Sequence, residues 1–149
     1  MMIHKELSLL SPRMQNIVPE VIADCAASPV FQRHKAVLIT LETVRELAVQ
    51  MAYYSRGRMA FIDVAAMYQA AGLYAIGTEE AKQMVTWTLA SNHFTGRACD
   101  NAPSLDGVNP WWAAPAELWE EYGRIVKAHG AQWGGDWASK KRDAPHMEV

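Results

Sequence analysis

This sequence is organised around one segment, Ser91-Asn92-His93-Phe94-Thr95-Gly96-Arg97-Ala98-Cys99-Asp100. It places an imidazole and a carboxylate seven positions apart, with small residues between them. Near the end of the chain, Asp143-Ala144-Pro145-His146 offers a second carboxylate and a second imidazole. Two histidines and two aspartates can hold one divalent metal ion and leave one carboxylate free, which is the composition of a hydrolytic zinc site.

The spacing between His93 and Asp100 is weak evidence by itself, because a histidine is more often a surface or core residue. The other three histidines, which precede or follow these clusters, are interpreted in that way. Gly96 and Ala98 favour the metal hypothesis, since small residues occur where the backbone passes close to a ligand. An unrelated domain with chance histidines and aspartates stays open as an alternative.

Composition limits the classes of protein that this chain can represent. With 149 residues, 50% of them hydrophobic and 20% charged, it is expected to form one globular domain. A net charge of -2 gives no reason to expect a nucleic-acid partner, and two cysteines make no disulfide framework. The first residues lack the apolar region of a signal peptide, and no apolar run reaches the roughly 20 residues of a membrane span, so no stable membrane association is expected.

Apolar periodicity and start and stop signals predict several helices. Ser11-Pro12 begins the first, in which Pro19 predicts a kink or a division into two short helices. Further helices are predicted over residues 43–54, 63–71 and 115–128. Arg45 and Gln50 lie about 500° apart around a helix and need not share a face. If Arg45 precedes the helix, at the turn from strand to helix, both can point into one cleft.

Short apolar or β-branched runs predict strands over residues 36–40, 85–88, 97–102 and 145–149. Asp106-Gly107 is a turn signal and is interpreted as a hairpin tip. The chain has no internal repeat, linker or low-complexity segment. Together the elements predict an α+β fold, a single compact domain with a small antiparallel sheet that carries the metal site and packs against several helices.

Three motifs resemble those of the VanY-like zinc peptidases of peptidoglycan: Ser91-x-His93-x-x-Gly96-x-Ala98-x-Asp100, Trp133-Gly134-Gly135-Asp136-Trp137 and Asp143-x-Pro145-His146. This family includes D-alanyl-D-alanine carboxypeptidases and the L-alanyl-D-glutamate endopeptidases that phages use as endolysins. The resemblance covers residues 36–149 and implies a Hedgehog/D,D-peptidase-like fold. Residues 1–35 are expected to form an N-terminal helical segment of the same domain, 1–149.

By that resemblance, His93, Asp100 and His146 would be the ligands of one Zn2+ ion. Asp143 would be the general base, which takes a proton from the attacking water and passes it to the leaving amine. Arg45 would stabilise the oxyanion of the tetrahedral intermediate.

Gln50 would help to orient the substrate, and Arg45-x4-Gln50 resembles the arginine-containing segment of the family, although Thr43-Val44 stands where Gly-Tyr is common. Ser91 would bind substrate or hold the first histidine ligand, and a turn at a strand end is its structural alternative. Three tryptophans are expected to line a substrate groove: Trp111, Trp112 and Trp137. Lys140-Lys141-Arg142 either steers the protein towards an anionic cell wall or is a solvated basic turn.

The function implied is hydrolysis of the L-alanyl-D-glutamate bond of the peptidoglycan stem peptide by a monomeric phage or prophage endolysin. Aspartate at position 143, where the carboxypeptidases usually have glutamate, favours the endopeptidases. Such an enzyme would be made in the host cytoplasm and would reach the wall after holin-type release. The alternatives are a D-alanyl-D-alanine carboxypeptidase and a catalytically silent, zinc-bearing module that binds peptidoglycan.

Overall fold

Four short antiparallel strands form the sheet in a computed structural model that describes residues 3–149. The strands are β1 (Val37–Glu42), β2 (Ala98–Ser104), β3 (Gln132–Trp133) and β4 (His146–Glu148). They lie in the order β1-β2-β4-β3, so the central pair joins strands that are far apart in the sequence. The predicted strands at residues 36–40, 97–102 and 145–149 are therefore confirmed, with small shifts of their ends.

The main core lies between the sheet and three helices, α1 (Pro12–Ala27), α2 (Pro29–Arg33) and α6 (Ala116–Ala128). In α6, Leu118, Tyr122, Ile125 and Val126 recur at helical spacing and are buried against this core. A second apolar cluster is formed by the other three helices of the described chain, α3 (Leu47–Ser55), α4 (Phe61–Ala70) and α5 (Thr78–Ala81). The predicted α+β fold, with a small antiparallel sheet and several helices, is confirmed.

The division into two short helices that was expected at Pro19 is wrong, because α1 runs without interruption over 16 residues. Pro19 lies on the exposed face of this helix, whereas Met14, Val18 and Val21 on the opposite face are completely buried. The carbonyl group that loses its partner to the proline can therefore bind solvent. Continuous packing of the buried face holds the helix together.

The predicted strand at residues 85–88 is also wrong, since this segment is irregular. Its carbonyl groups bind side chains instead of a neighbouring strand: Arg58 donates to the Thr86 carbonyl at 3.1 Å, and Gln50 donates to the Thr88 carbonyl at 2.6 Å. A strand at residues 85–88 would need a free edge of β2 as its partner, but both edges of β2 are occupied, by β1 and by β4. Residues 85–88 are thereby left to form a loop beside the sheet.

Asp106 does not mark a hairpin tip, because β2 is followed by an irregular connection to α6. Its carboxylate accepts hydrogen bonds from the backbone of Val108 and Asn109, both at 2.8 Å, and closes a local turn. The helix predicted over residues 43–54 begins later, at Leu47, so Arg45 lies between β1 and α3. None of the helices described for residues 3–149 combines the length and the apolar character that a membrane span requires.

Candidate metal centre and active-site cleft

A row of polar side chains crosses the sheet where β1, β2 and β4 lie side by side. The register places Asp100 opposite Glu42 on one side and opposite His146 on the other. Residues directly opposite each other point to the same face of a sheet, so the three side chains are neighbours. An irregularity in β1 between Thr40 and Glu42 shifts the register by one residue and aims Glu42 into this row.

His93 reaches this row from a 3-10 turn, Asn92–Thr95, that immediately precedes β2. The Ser91 hydroxyl accepts a hydrogen bond from the His93 amide at 3.2 Å and so caps the turn. Gly96 ends the turn with a φ of 68°, and a side chain there would collide with the backbone of the Leu10 region at 2.9 Å. Ser91 and Gly96, at the two ends of the turn, thus both help to orient the imidazole of His93.

The three residues expected to bind metal converge. Each of His93, Asp100 and His146 offers a ligand atom, and these atoms all lie within 4.8 Å of one another. The Nδ1 atom of His93 donates to the Thr43 carbonyl at 2.7 Å, which leaves the lone pair of Nε2 directed at the Asp100 carboxylate 3.4 Å away. In the described part of the chain, His93 Nε2 is one of only three buried side-chain polar atoms without a hydrogen-bond partner.

These contacts fit a metal ion, because an uncharged imidazole nitrogen that is buried without a donor is costly unless it binds a cation. Two imidazoles and one carboxylate are the donor set of a site with three protein ligands and one open position. Such a site is catalytic in kind, since a purely structural site would be closed by a fourth protein ligand.

Glu148 orients His146 from the side opposite the metal centre. The Nε2 atom of His146 donates to the Glu148 carboxylate at 2.8 Å, while Nδ1 faces Asp100 at 3.1 Å. Although burial disfavours the imidazolium, hydrogen bonds to Asp100 and Glu148 raise the pKa of His146 to about 9. Binding of a metal ion to this nitrogen at neutral pH therefore has to displace a proton.

Replacing Glu148 with glutamine is expected to weaken metal binding about 10- to 100-fold, since carboxylates that support a ligating imidazole contribute effects of this size. Competition with a coloured chelator measures the dissociation constant of the metal. Glu79→Gln is the matched control, because Glu79 is exposed, does not line the cleft and pairs with Lys82, 2.6 Å away. Equal affinities for the two variants would contradict an orienting role for Glu148.

Asp143 lies beside the three ligands in a tight turn against Gly134. Its amide donates to the Gly134 carbonyl at 3.0 Å, and its own carbonyl accepts from the His146 amide at 3.1 Å. A side chain on Gly134 would come within 2.4 Å of the Asp143 carbonyl oxygen, so glycine allows this close approach. Burial and the nearby charge of Asp100 raise the pKa of Asp143 to about 6, close to the value that suits a base at neutral pH.

Arg45 lines the same cleft between β1 and α3, as the sequence allowed. Its guanidinium donates to both oxygens of Glu42, at 2.9 and 2.6 Å, and lies 3.4 Å from Asp100. The other terminal nitrogen donates to Gln50 at 2.7 Å. Gln50 is fully buried and does not line the cleft; its amide nitrogen is bound to Thr86 and Thr88, and its oxygen holds Arg45 in place.

A cleft of about 960 Å³ opens over the metal centre. The polar row and Arg45 form its floor, and the loop of residues 84–90 forms one wall. Trp137 lies against the ring of His146, with 4.9 Å between the ring centroids, and lines the cleft together with Ser91 and Trp112. Trp111 does not line it; this side chain packs against the main core instead.

Sequence reasoning missed Glu42, Glu148 and the Thr43 carbonyl. Glu148 could have been predicted from the sequence. It lies two residues after His146 in a predicted strand, and residues two apart in a strand point to the same face. Glu42 had none, since its role depends on the register between β1 and β2. The Thr43 carbonyl belongs to the backbone, and every residue type has such a carbonyl, so the sequence could not indicate this acceptor.

The fold and the ligand set thus define a candidate catalytic metal centre, and comparisons with known proteins add to this description. Residues 85–149 match the family model described as D-alanyl-D-alanine carboxypeptidase, a segment that includes all three ligands and Asp143. The fold is similar to that of the Serratia marcescens L-Ala D-Glu endopeptidase ChiX, with 23% identity, a TM-score of 0.53, and coverage of 96% of this chain and 82% of that one. The family-model match supports the resemblance to the VanY-like peptidases that the motifs indicated, whereas the structural match, at 23% identity, shows the fold alone.

Proposed function

We propose that this protein is a zinc-dependent endopeptidase that hydrolyses the L-alanyl-D-glutamate bond of the peptidoglycan stem peptide. The observation that carries the proposal is the convergence of His93, Asp100 and His146 at one point, with Asp143 and Arg45 lining the same cleft. Two imidazoles and one carboxylate suit Zn2+, and the resemblance of the sequence motifs supplies the substrate class.

A zinc ion held by these three residues would polarise the scissile carbonyl and make a water molecule more acidic. Asp143 accepts the proton of the attacking water and later delivers it to the nitrogen of the leaving amine. Arg45 directs its guanidinium at the oxygen on which negative charge develops. Because Glu42 and Gln50 hold the guanidinium in place before substrate binds, little reorganisation is needed in the transition state.

The bond is tested by digesting muropeptides with the zinc-loaded protein and analysing the products by mass spectrometry. Cleavage of L-alanyl-D-glutamate bonds gives peptides with a new N-terminal D-glutamate. Digestion with the chelator-treated protein is the control and should leave the stem peptides intact. Intact stem peptides in the presence of zinc would contradict the proposal.

A second candidate is a D-alanyl-D-alanine carboxypeptidase, which the description of the matching family model favours. The chemistry at the metal would be the same, and the difference would lie in which peptide bond the cleft positions. Release of free D-alanine, measured enzymatically in the same digest, separates the two functions. Free D-alanine without N-terminal D-glutamate would support the carboxypeptidase.

A role in phage or prophage lysis is part of the proposal. In this role the enzyme is made in the host cytoplasm and reaches the wall through a holin-type lesion. Expression in a Gram-negative host with and without a holin tests this role, because only cells that produce both proteins should lyse. Lysis without a holin would show that another route leads to the wall.

A further inference from the structure

Three consecutive cations, Lys140, Lys141 and Arg142, line the rim of the cleft and are exposed. The sequence allowed two interpretations of them, a solvated turn or a surface that steers the protein towards an anionic wall. The structure places them immediately before Asp143, in a turn closed by the Lys141 amide and the Ala138 carbonyl at 2.7 Å. Their charges are thus presented at the mouth of the site.

The other cations that line the cleft are already neutralised. Of the arginines, Arg45 is bound to Glu42 at 2.6 Å, and Arg56 lies 3.5 Å from Glu80. Within residues 3–149, by contrast, no carboxylate forms an ion pair with any of the three rim cations. The rim therefore carries an uncompensated positive charge, which low-dielectric walls concentrate in the cleft.

The position of Asp143 indicates which half of a substrate meets this charge. Asp143 delivers a proton to the leaving amine, so the residue that contributes this amine must lie next to Asp143. Consecutive Cα atoms are about 3.8 Å apart, so the rim cations are within reach of the same half of the substrate. In a stem peptide, this half begins with D-glutamate and carries its free α-carboxylate, together with the carboxylates of the residues beyond. The half that ends in L-alanine and the sugar has no such charge.

From this geometry we propose that Lys140, Lys141 and Arg142 form a subsite for the carboxylates on the amine side of the scissile bond. The subsite rests on the proposed function, since that function defines which half of the peptide leaves. Its ligand class is an acidic peptide with free carboxylates close to its N-terminal amine. Charges at such a rim act mainly on the rate of association and on its dependence on salt.

The test measures binding without turnover, by calorimetry on the zinc-loaded full chain. The probes are the dipeptide γ-D-glutamyl-diaminopimelate and the same dipeptide with amidated carboxylates. A triple variant converts the rim to glutamine: Lys140→Gln, Lys141→Gln and Arg142→Gln. A control variant with the same loss of charge changes three exposed cations that do not line the cleft: Lys35→Gln, Lys82→Gln and Arg97→Gln.

Wild-type protein and the control variant are expected to bind the acidic dipeptide about tenfold more tightly than the amidated one at low salt. The rim variant should lose this preference and bind the amidated dipeptide as wild type does. A preference that survives in the rim variant would overturn the subsite. So would a rim variant that binds both dipeptides normally and only loses affinity for whole cell walls, because the charges would then serve a polymeric surface.

The outcome for the subsite is separable from that for the bond. If the rim-dependent preference is observed but muropeptides keep their L-alanyl-D-glutamate bonds, the proposed cleavage fails, and the rim remains a binding site for acidic peptides that is not assigned to one side of a scissile bond. If cleavage occurs with no preference for carboxylates, the proposed function stands and the subsite fails.

Discussion

Asp143→Asn is expected to lower kcat about a thousandfold while the protein still binds one zinc ion. Asparagine has nearly the same shape as aspartate but cannot accept the proton of the attacking water, and general-base catalysis contributes roughly 10²- to 10⁴-fold. Because the Asp143 backbone makes the hydrogen bonds of the turn with Gly134 and His146, the variant should keep the fold. Turnover of a muropeptide, together with metal analysis, measures both quantities.

The matched control is Asp136→Asn, which makes the same chemical change in the segment that packs beneath Asp143. Asp136 is exposed and pairs with Lys127 at 2.9 Å, so this variant should keep the wild-type kcat. If the Asp143→Asn protein retained activity within a factor of three of wild type, Asp143 would not be the general base. Loss of zinc together with activity would assign it to metal binding instead.

His93→Gln is expected to abolish zinc binding at micromolar concentrations and, with it, activity. His93 is almost completely buried, and its Nε2 atom has no hydrogen-bond partner, so this nitrogen is best satisfied by the metal. Zinc in thousandfold excess over its dissociation constant would stabilise the wild-type protein by about 4 kcal/mol, which raises Tm on the order of 10 °C. The variant should show no such rise.

The comparison is made between the zinc-free and zinc-loaded forms of each protein, so any cost of the substitution to folding cancels. His129→Gln is the control, since His129 binds Asp24 at 2.7 Å on the surface, away from the cleft. It should keep the full zinc-dependent rise in Tm. A His93→Gln protein stabilised by zinc as strongly as wild type would contradict the metal centre described above.

The neighbours of Arg45 suggest why the site is arranged before substrate arrives. A buried arginine is costly to hold without partners, and Glu42 and Gln50 together satisfy both ends of its guanidinium. Through Thr86 and Thr88, Gln50 also fixes the loop that forms one wall of the cleft. The segment predicted as a strand thus serves as a wall, and it is tied to the group expected to stabilise the oxyanion.

Much of the fold could be read from local patterns. The apolar stripe of α6 and the short strand around His146 are encoded by local patterns of residue type, and the start of α1 is encoded by proline at its first helical position. Residues 85–88 show the limit of such reasoning, because β-branched residues favour a strand only where a neighbouring strand is free to pair. The edges of β2 are taken by β1 and β4, so local preference was overridden.

The sequence by itself determined which side chains are available for the chemistry: His93 and Asp100 in one motif, and Asp143 and His146 in another. Only the tertiary structure decided that they meet, because the pairing of β2 with β4 sets Asp100 opposite His146 across 46 positions of chain. It also supplied the supporting groups, Glu42 through the β1–β2 register and the Thr43 carbonyl through the turn before α3. Residue type is a local property, whereas strand register and backbone direction arise from packing of the whole chain. The sequence therefore predicted the metal ligands but not the groups that support them.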